Sequence, residues 1–80
     1  MSKLPRISGR EAIRAFERAG FVVVRSHSSH FILKKEGHPV LLSVPKHRNK
    51  NLGLGILTRL IRDAGLTTDE FAAHAKGRKV

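Results

Sequence analysis

Apolar residues recur at three- and four-residue spacing after Ser8, which is the period of an amphipathic helix. The stripe consists of Ala12, Ile13, Phe16 and Ala19. Ser8 and Glu11 have the spacing of a capping box, in which each side chain bonds to the backbone N–H of the other residue. Gly20 follows the last apolar position and can adopt the left-handed conformation that ends a helix. The pattern predicts a helix over residues 9–19.

Three apolar runs rich in β-branched residues follow, and each is too short for a helix. They predict strands over residues 21–25, 30–35 and 40–44. Polar turns at 27–29 and 36–39 join the strands, and Pro45 ends the third because it has no N–H to donate. Strands joined by turns this short pair as an antiparallel meander.

Side chains alternate between the two faces of a strand, so the pattern assigns a core face and an outer face to this sheet. The predicted core positions are Phe31, Leu33, Val40, Leu42 and Val44. The predicted outer positions are His30, Ile32, Lys34, Leu41 and Ser43. With two aliphatic residues there and one or two valines of the first strand, the outer face is more apolar than a water-facing sheet usually is. A partner, a second copy of the chain or a substrate is therefore expected to cover part of it.

The second half of the chain predicts two further helices. One spans residues 54–64 and ends at Gly65. Its apolar stripe consists of Leu57, Leu60, Ile61 and Ala64. A short last helix begins within 67–70 and buries Phe71. The order predicts an α+β fold, an α-β-β-β-α two-layer sandwich with a short C-terminal helix. The 80 residues are expected to form one domain with its core between residues 7 and 75.

The charge balance points to an anionic partner. The chain has 16 Lys and Arg residues against 6 Asp and Glu, a formal net charge of +10, and such a field attracts polyanions. Nucleic acid is the first expectation, an acidic protein the second and an anionic membrane the third, because no predicted helix combines a broad apolar face with a lysine-rich one. The absence of cysteine excludes disulfides and thiolate metal sites. With no predicted membrane span or signal segment, a cytoplasmic location is expected.

Metal-dependent chemistry is disfavoured by the residues available for it. The carboxylates after the first strand lie in a turn or near helix ends, where caps and solvated charges are common. They are Glu36, Asp63, Asp69 and Glu70. His27 and His30 span a turn at a spacing that is only a weak metal signal. Neither a metal nor another cofactor is therefore expected.

His30 is the candidate for metal-independent chemistry on RNA. Such cleavage needs a group that accepts the proton of the 2′-hydroxyl, a group that protonates the leaving oxygen, and a cation beside the phosphorane. Histidine suits proton transfer because its pKa lies near neutrality. A strand end holds His30 more rigidly than a turn tip would hold His27. Arg25, Lys34 and Lys46 are the neighbouring cations. The alternative is that His30 is an exposed strand histidine without a role.

Several other segments have two interpretations each. The loop cations Lys46, Arg48 and Lys50 are either RNA ligands or solvated charge, and His47 between them is either a second acid or base or an ordinary loop residue. The arginines at positions 10, 14 and 18 form either a solvated helix face or a track for phosphates. Residues 53–55 either admit a phosphate to the N-terminal amides of the second helix or provide a flexible approach to it.

Four segments occur in a distinctive order. They are Gly20-Phe21 at the end of the first helix, Val24-Arg25 leading to Ser28-Ser29-His30, Val44-Pro45 followed by the basic residues 47–50, and 55–57 opening a helix that ends at 64–66. In this order they resemble the HicA-type (YcfA-like) mRNA interferase toxins, and the resemblance covers roughly residues 8–71. On that resemblance His30 matches the catalytic histidine of a Gly-Ser-His motif, and Ser28 stands where the family usually has glycine. A serine at positive φ would strain the turn by about 1 kcal/mol.

The resemblance implies a fold similar to the double-stranded-RNA-binding domain, cleavage of mRNA, and neutralisation by a HicB-type antitoxin that docks over the active-site region. Ser29 is then expected to shape the turn or to contact the substrate. The residues expected to bind RNA phosphates are Arg25, Lys34, Lys46, Arg48 and Lys50. Two alternatives remain, a non-catalytic module that reads duplex RNA by shape and a protein-interaction domain with an acidic partner. A homodimer is a further possibility.

Overall fold

A computed structural model describes residues 4–27, 29–45 and 50–76 of the chain. Their elements are α1 (Gly9–Arg18), β1 (Val22–His27), β2 (His30–Lys34), β3 (Leu42–Pro45), α2 (Leu54–Asp63) and α3 (Thr68–Ala75). The strands form an antiparallel sheet in the order β1-β2-β3, and the helices pack against one of its faces. The predicted α+β class and α-β-β-β-α order are confirmed, with α3 as the short C-terminal helix.

α1 begins at the predicted residue and ends at Arg18, one residue before the predicted end, with the predicted caps on both sides. The Ser8 hydroxyl accepts a hydrogen bond from the Glu11 N–H (3.2 Å), and the Glu11 carboxylate accepts one from the Ser8 N–H (3.0 Å). Gly20 has a φ of +106°, and its own N–H and the next one donate to carbonyls of the last helical turn, both at 3.0 Å. This pair of bonds is a Schellman motif. Gly65, with a φ of +75°, ends α2 in the same way.

Phe21 belongs to the core and not to the sheet, which corrects the predicted first strand. Its N–H completes the cap of α1 and is therefore not available to the ladder. Its ring packs edge-on against Phe16, with 6.0 Å between the centroids, and the residue is 1% exposed. β1 consequently begins at Val22, and it continues to His27, two residues beyond the predicted end at Arg25.

β3 begins later than predicted. The ladder with β2 starts at the pair Leu33 and Leu42, so Val40 lies in the connection and is 39% exposed. The prediction that Val40 faces the core is therefore wrong. Leu42 and Val44 do face the core and are fully buried, and Phe31, opposite Val44, is half-buried against it. β2 ends at Lys34, one residue earlier than expected.

The core lies between the sheet and the helices. Its largest fully buried side chains are Phe16, Phe21, Leu33, Leu42, Val44, Leu57 and Phe71. The predicted apolar stripe of α2 is buried in full. α3 is fixed to α1 by the Phe16 and Phe71 rings, whose centroids are 5.0 Å apart, and by the Arg18 guanidinium, which donates to the His74 carbonyl at 2.7 Å. Across the described ranges, no helix is both long and apolar enough to span a bilayer.

β1 is an edge strand, and all six of its residues are exposed. It pairs Val23 with Leu33 and Arg25 with Ile32, so Val24 is the extra residue of a β-bulge. All three valines of the strand are exposed. The pairing of Val22 with Lys34 puts this valine on the side of the sheet away from the core, in agreement with the one or two valines expected there. The helices therefore cover β2 and β3 better than they cover β1.

Candidate active site on the outer face of the sheet

Two histidines face each other across the tip of the β1–β2 hairpin. β1 ends at His27, β2 begins at His30, and the two residues are direct partners in the antiparallel register. The sequence interpretation placed His27 at the tip of the turn, and this placement is wrong. Side chains of directly opposed residues lie on the same face of a sheet, with Cβ atoms about 4.5–5.5 Å apart. The imidazoles therefore share one small area of surface.

That surface is the face of the sheet opposite the core. Leu33 is fully buried, so alternation along β2 turns His30, Ile32 and Lys34 away from the helices. Their partners on β1 and β3 lie on the same side. We call this surface the outer face, and it comprises Val22, Arg25, His27, His30, Ile32, Lys34, Ser43 and Pro45. The predicted outward orientation of His30, Ile32, Lys34 and Ser43 agrees with this register.

His30 is held in place by its neighbour in the chain. The Ser29 hydroxyl and the His30 Nδ1 are 3.0 Å apart, and the hydroxyl donates or accepts depending on the tautomer of the ring. His30 is half-buried, whereas His27 is exposed. An imidazole that is bound through Nδ1 can use its other nitrogen, Nε2, to exchange a proton with a substrate. Ser29 thus contacts the His30 ring at Nδ1.

The predicted phosphate ligands fall into three groups. Arg25 lies one outer-face position from the histidine pair, about 7 Å along the strand, and Lys34 lies about 13 Å from His30. Lys50 is exposed and precedes Asn51, which pairs with Ser8 at the start of α1. Lys46 and Arg48 lie outside the described residues, as do His47 and Ser28. The structure thus brings Arg25 and Ser29 close to His30 and puts Lys34 farther along the same strand.

The remaining described histidines have structural positions. His38 Nε2 lies 2.7 Å from the carbonyl oxygen of Asp63, and its ring packs edge-on against Phe21 with 5.6 Å between the centroids. His74 lies in α3, on the helical layer. His38 therefore joins the β2–β3 connection to the end of α2, and neither ring belongs to the outer face.

The carboxylates of the described residues serve largely as caps and surface charges. Glu11 closes the capping box of α1, and Glu70 closes that of α3. The N–H and the hydroxyl of Thr67 hold the pKa of Glu70 below its usual range. Asp63 lies 3.9 Å from Arg59. Within residues 4–27, 29–45 and 50–76, no three His, Cys, Asp or Glu side chains are grouped closely enough to hold a metal ion.

The other segments with two interpretations are resolved in part. Arg18 bonds to α3, so the arginines of α1 do not form a uniform solvated row. α2 begins after Gly53 without a side-chain cap and without an acidic residue in its first turn. Its first N–H groups are therefore not satisfied by a side chain, which is compatible with both earlier interpretations of residues 53–55.

One feature of the candidate site was missed in the sequence although a signal for it was present. Two residues separate His27 from His30, and two-residue loops are the commonest connection of a β-hairpin. In such a hairpin the residues that flank the loop are partners in the ladder. Treating His27 as part of a three-residue turn concealed this pairing.

A comparison against known protein families identifies the family of this chain. The family described as HicA toxin of bacterial toxin-antitoxin matches residues 9–66, well over half of the chain. No curated protein sequence gives a significant match. The matched range runs from the start of α1 to the residue after the C-terminal glycine of α2 and includes the hairpin. The chain therefore belongs to the HicA family of toxins from bacterial toxin–antitoxin systems.

Proposed function

We propose that this toxin is a metal-independent endoribonuclease that cleaves mRNA, with His30 as a proton-transfer group. The observation that carries the proposal is the position of His30. Its ring is bound to Ser29 at 3.0 Å, half-buried at the end of β2, and turned to a face that also presents Arg25. Membership of the toxin family supports this reading.

The chemistry uses a nucleophile that RNA itself supplies. The 2′-hydroxyl attacks the adjacent phosphorus once its proton is removed, and the leaving 5′-oxygen must be protonated. Histidine exchanges protons near neutral pH, so His30 suits either transfer. A cation beside the phosphate stabilises the charge that develops in the transition state. Arg25, a diagonal neighbour of His30 across the two strands at about 7–8 Å, is the nearest described candidate on this face.

The charge of the chain supports an RNA substrate. A net charge of +10 on 80 residues attracts a polyanion and makes its binding weaken steeply with salt. Lys34 is exposed on the outer face, so it is placed to contact another phosphate of the same RNA strand. Lys46, Arg48 and Lys50 remain proposed ligands from the adjoining loop. The proposal therefore has RNA crossing the outer face near the hairpin tip.

A HicB-type antitoxin is proposed to cover the same face. The outer face carries apolar groups beside its cations, with Val22 57% exposed and Ile32 half-buried. An acidic protein with apolar contacts would complement this surface. Val22→Glu should then weaken the complex with the antitoxin encoded beside the toxin gene while RNA cleavage persists. Equal affinities of the wild type and the variant, measured by calorimetry, would place the antitoxin elsewhere.

The test of the ribonuclease is cleavage of a long single-stranded RNA in the presence of EDTA. The wild type is compared with His30→Ala and with His74→Ala, a matched loss of an imidazole from the helical layer. Circular dichroism checks that all three proteins are folded. We expect cleavage by the wild type and His74→Ala and none by His30→Ala.

Two results would contradict the proposal. Equal cleavage by the wild type and His30→Ala would exclude His30 as the proton-transfer group. RNA binding by all three proteins without cleavage would instead favour the alternative function, a non-catalytic RNA-binding module.

A further inference from the structure

The pairing of His27 with His30 gives this hairpin two imidazoles where the proposed reaction needs two proton transfers. We propose that His27 is the second acid–base residue of the site, complementary to His30. The inference rests on the proposed ribonuclease function and deepens it. It depends on the register of β1 and β2, in which the two residues are direct partners.

The positions of the two rings suit the two ends of one reacting phosphate. In an in-line displacement the attacking and leaving oxygens lie on opposite sides of the phosphorus. One imidazole would have to move between them to serve both. Two imidazoles on neighbouring strands, with Cβ atoms about 4.5–5.5 Å apart, can flank the phosphorus and reach one oxygen each. Nearby Arg25 is then placed for the non-bridging oxygens.

The proton balance closes with these two residues. One histidine, as neutral imidazole, takes the proton from the 2′-hydroxyl while the 2′-oxygen forms its bond to phosphorus. The other, as imidazolium, gives its proton to the 5′-oxygen while the bond from phosphorus to that oxygen breaks. The products are a 2′,3′-cyclic phosphate and a free 5′-hydroxyl. Exchange with water restores both protonation states, and no oxidant, reductant or metal is required.

His27 has no structural task in the described part of the chain that would account for its place. It is exposed at the end of an exposed strand, unlike His38, which bonds to α2 and packs on Phe21. The removal of its side chain leaves the core intact. A change in activity caused by His27→Ala would therefore report on chemistry and not on folding.

The experiment measures single-turnover cleavage of one RNA between pH 5 and 9, with EDTA present, for wild type, His27→Ala, His27→Arg and the control His74→Ala. General acid–base catalysis contributes about 10²–10⁴-fold. We expect His27→Ala to lose at least about 10²-fold and one limb of the bell-shaped pH profile. We expect His27→Arg to be equally impaired, because arginine keeps a positive charge but does not exchange protons near neutral pH.

A second substrate identifies which transfer His27 performs. An RNA with sulfur in place of the bridging 5′-oxygen has a leaving group that needs no proton. If His27 is the donor, this substrate restores the rate of His27→Ala to nearly that of the wild type. If His27 is the acceptor, the variant stays slow on both substrates. Either result supports the proposal.

Other outcomes overturn it. Cleavage by His27→Ala within about threefold of the wild type, with both pH limbs kept, removes His27 from the chemistry. Full activity of His27→Arg reduces its role to charge. If His30→Ala is inactive in either case, the ribonuclease proposal stands while this inference fails. An inactive wild type, or activity that requires an added metal, overturns both.

Discussion

His38 is expected to stabilise the fold without taking part in cleavage. Its Nε2 lies 2.7 Å from the carbonyl oxygen of Asp63, and because a carbonyl can only accept, Nε2 carries the proton and donates. That carbonyl belongs to the last turn of α2, where backbone acceptors have no partner within the helix. The ring also packs edge-on against Phe21. His38→Ala removes both contacts.

The expected loss follows from these two contacts. A hydrogen bond of this kind contributes about 0.5–1.5 kcal/mol, and an edge-to-face aromatic pair adds about 0.5–1.5 kcal/mol. The sum is about 2 kcal/mol, against a total of about 4–12 kcal/mol for a domain of this length. With a urea dependence near 1 kcal/mol per molar, the unfolding midpoint of His38→Ala should fall by about 2 M.

Urea unfolding followed by circular dichroism measures this shift. His38→Phe keeps the ring contact and loses the hydrogen bond, so it should lose about half as much stability as His38→Ala. His27→Ala removes an exposed imidazole and should stay within about 0.5 kcal/mol of the wild type. Should His38→Ala and the wild type share one midpoint, the contacts of His38 would not stabilise the fold and the reasoning would be refuted.

Two further predictions concern a backbone conformation and a titrating cap. Gly20→Ala should lower the melting temperature by at least about 4–8 °C, because it puts a side chain at a φ of +106° and a Cβ 3.2 Å from the Lys35 Cε. Gly37→Ala is the control, since Gly37 has a φ of +78° with open space around it and therefore reports the backbone strain alone. A larger fall in melting temperature for Gly37→Ala than for Gly20→Ala would contradict this account. The pKa of Glu70 is lower in the folded protein than in the unfolded chain, where it is about 4.3, so this carboxylate stabilises the fold at pH values above about 4.3. That stability is lost as the pH falls through the folded pKa. Glu70→Gln, followed by urea unfolding between pH 3 and 6, should therefore lose less stability on acidification than the wild type, and parallel pH curves would exclude this role.

The helices were predictable because residues close together in the sequence determine where each helix begins and ends. Ser8 with Glu11, and the glycines at 20 and 65, specify caps that depend on neighbouring residues alone. The apolar stripe of α2 was likewise correct in every position. These features need no knowledge of the rest of the chain, so the sequence predicts them well.

The strand ends were less predictable because they depend on distant partners. Phe21 has the composition of a strand residue, yet its N–H is taken by the cap of α1 and its ring by the core. Val40 fits the alternation of β3, but the ladder starts only at Leu42. At both positions tertiary contacts outweighed the local preference for a strand, and strand propensity alone does not predict those contacts.

The candidate site was predictable only for single residues. His30 and its outward orientation follow from alternation in β2, and Arg25 and Lys34 are near it in sequence. The pairing with His27 needed the hairpin register, and the bond to Ser29 needed the side-chain geometry. The role of His38 depends on α2, which lies 25 residues away in the chain at Asp63. Contacts across such separations are set by the fold and not by the local pattern.

The bulge at Val24 adds one unpaired residue between the two ends of β1, and each end is fixed by a different contact. Phe21 anchors one end in the core, and the two-residue turn sets the partners of the other. Continued without the bulge, the pairing of Val23 with Leu33 would bring Ser26, and not His27, opposite His30. Loss of Val24 would make the ladder regular while both histidines kept their positions. The valine run is thus the place where a one-residue change in the length of β1 leaves the pairing of His27 with His30 unchanged.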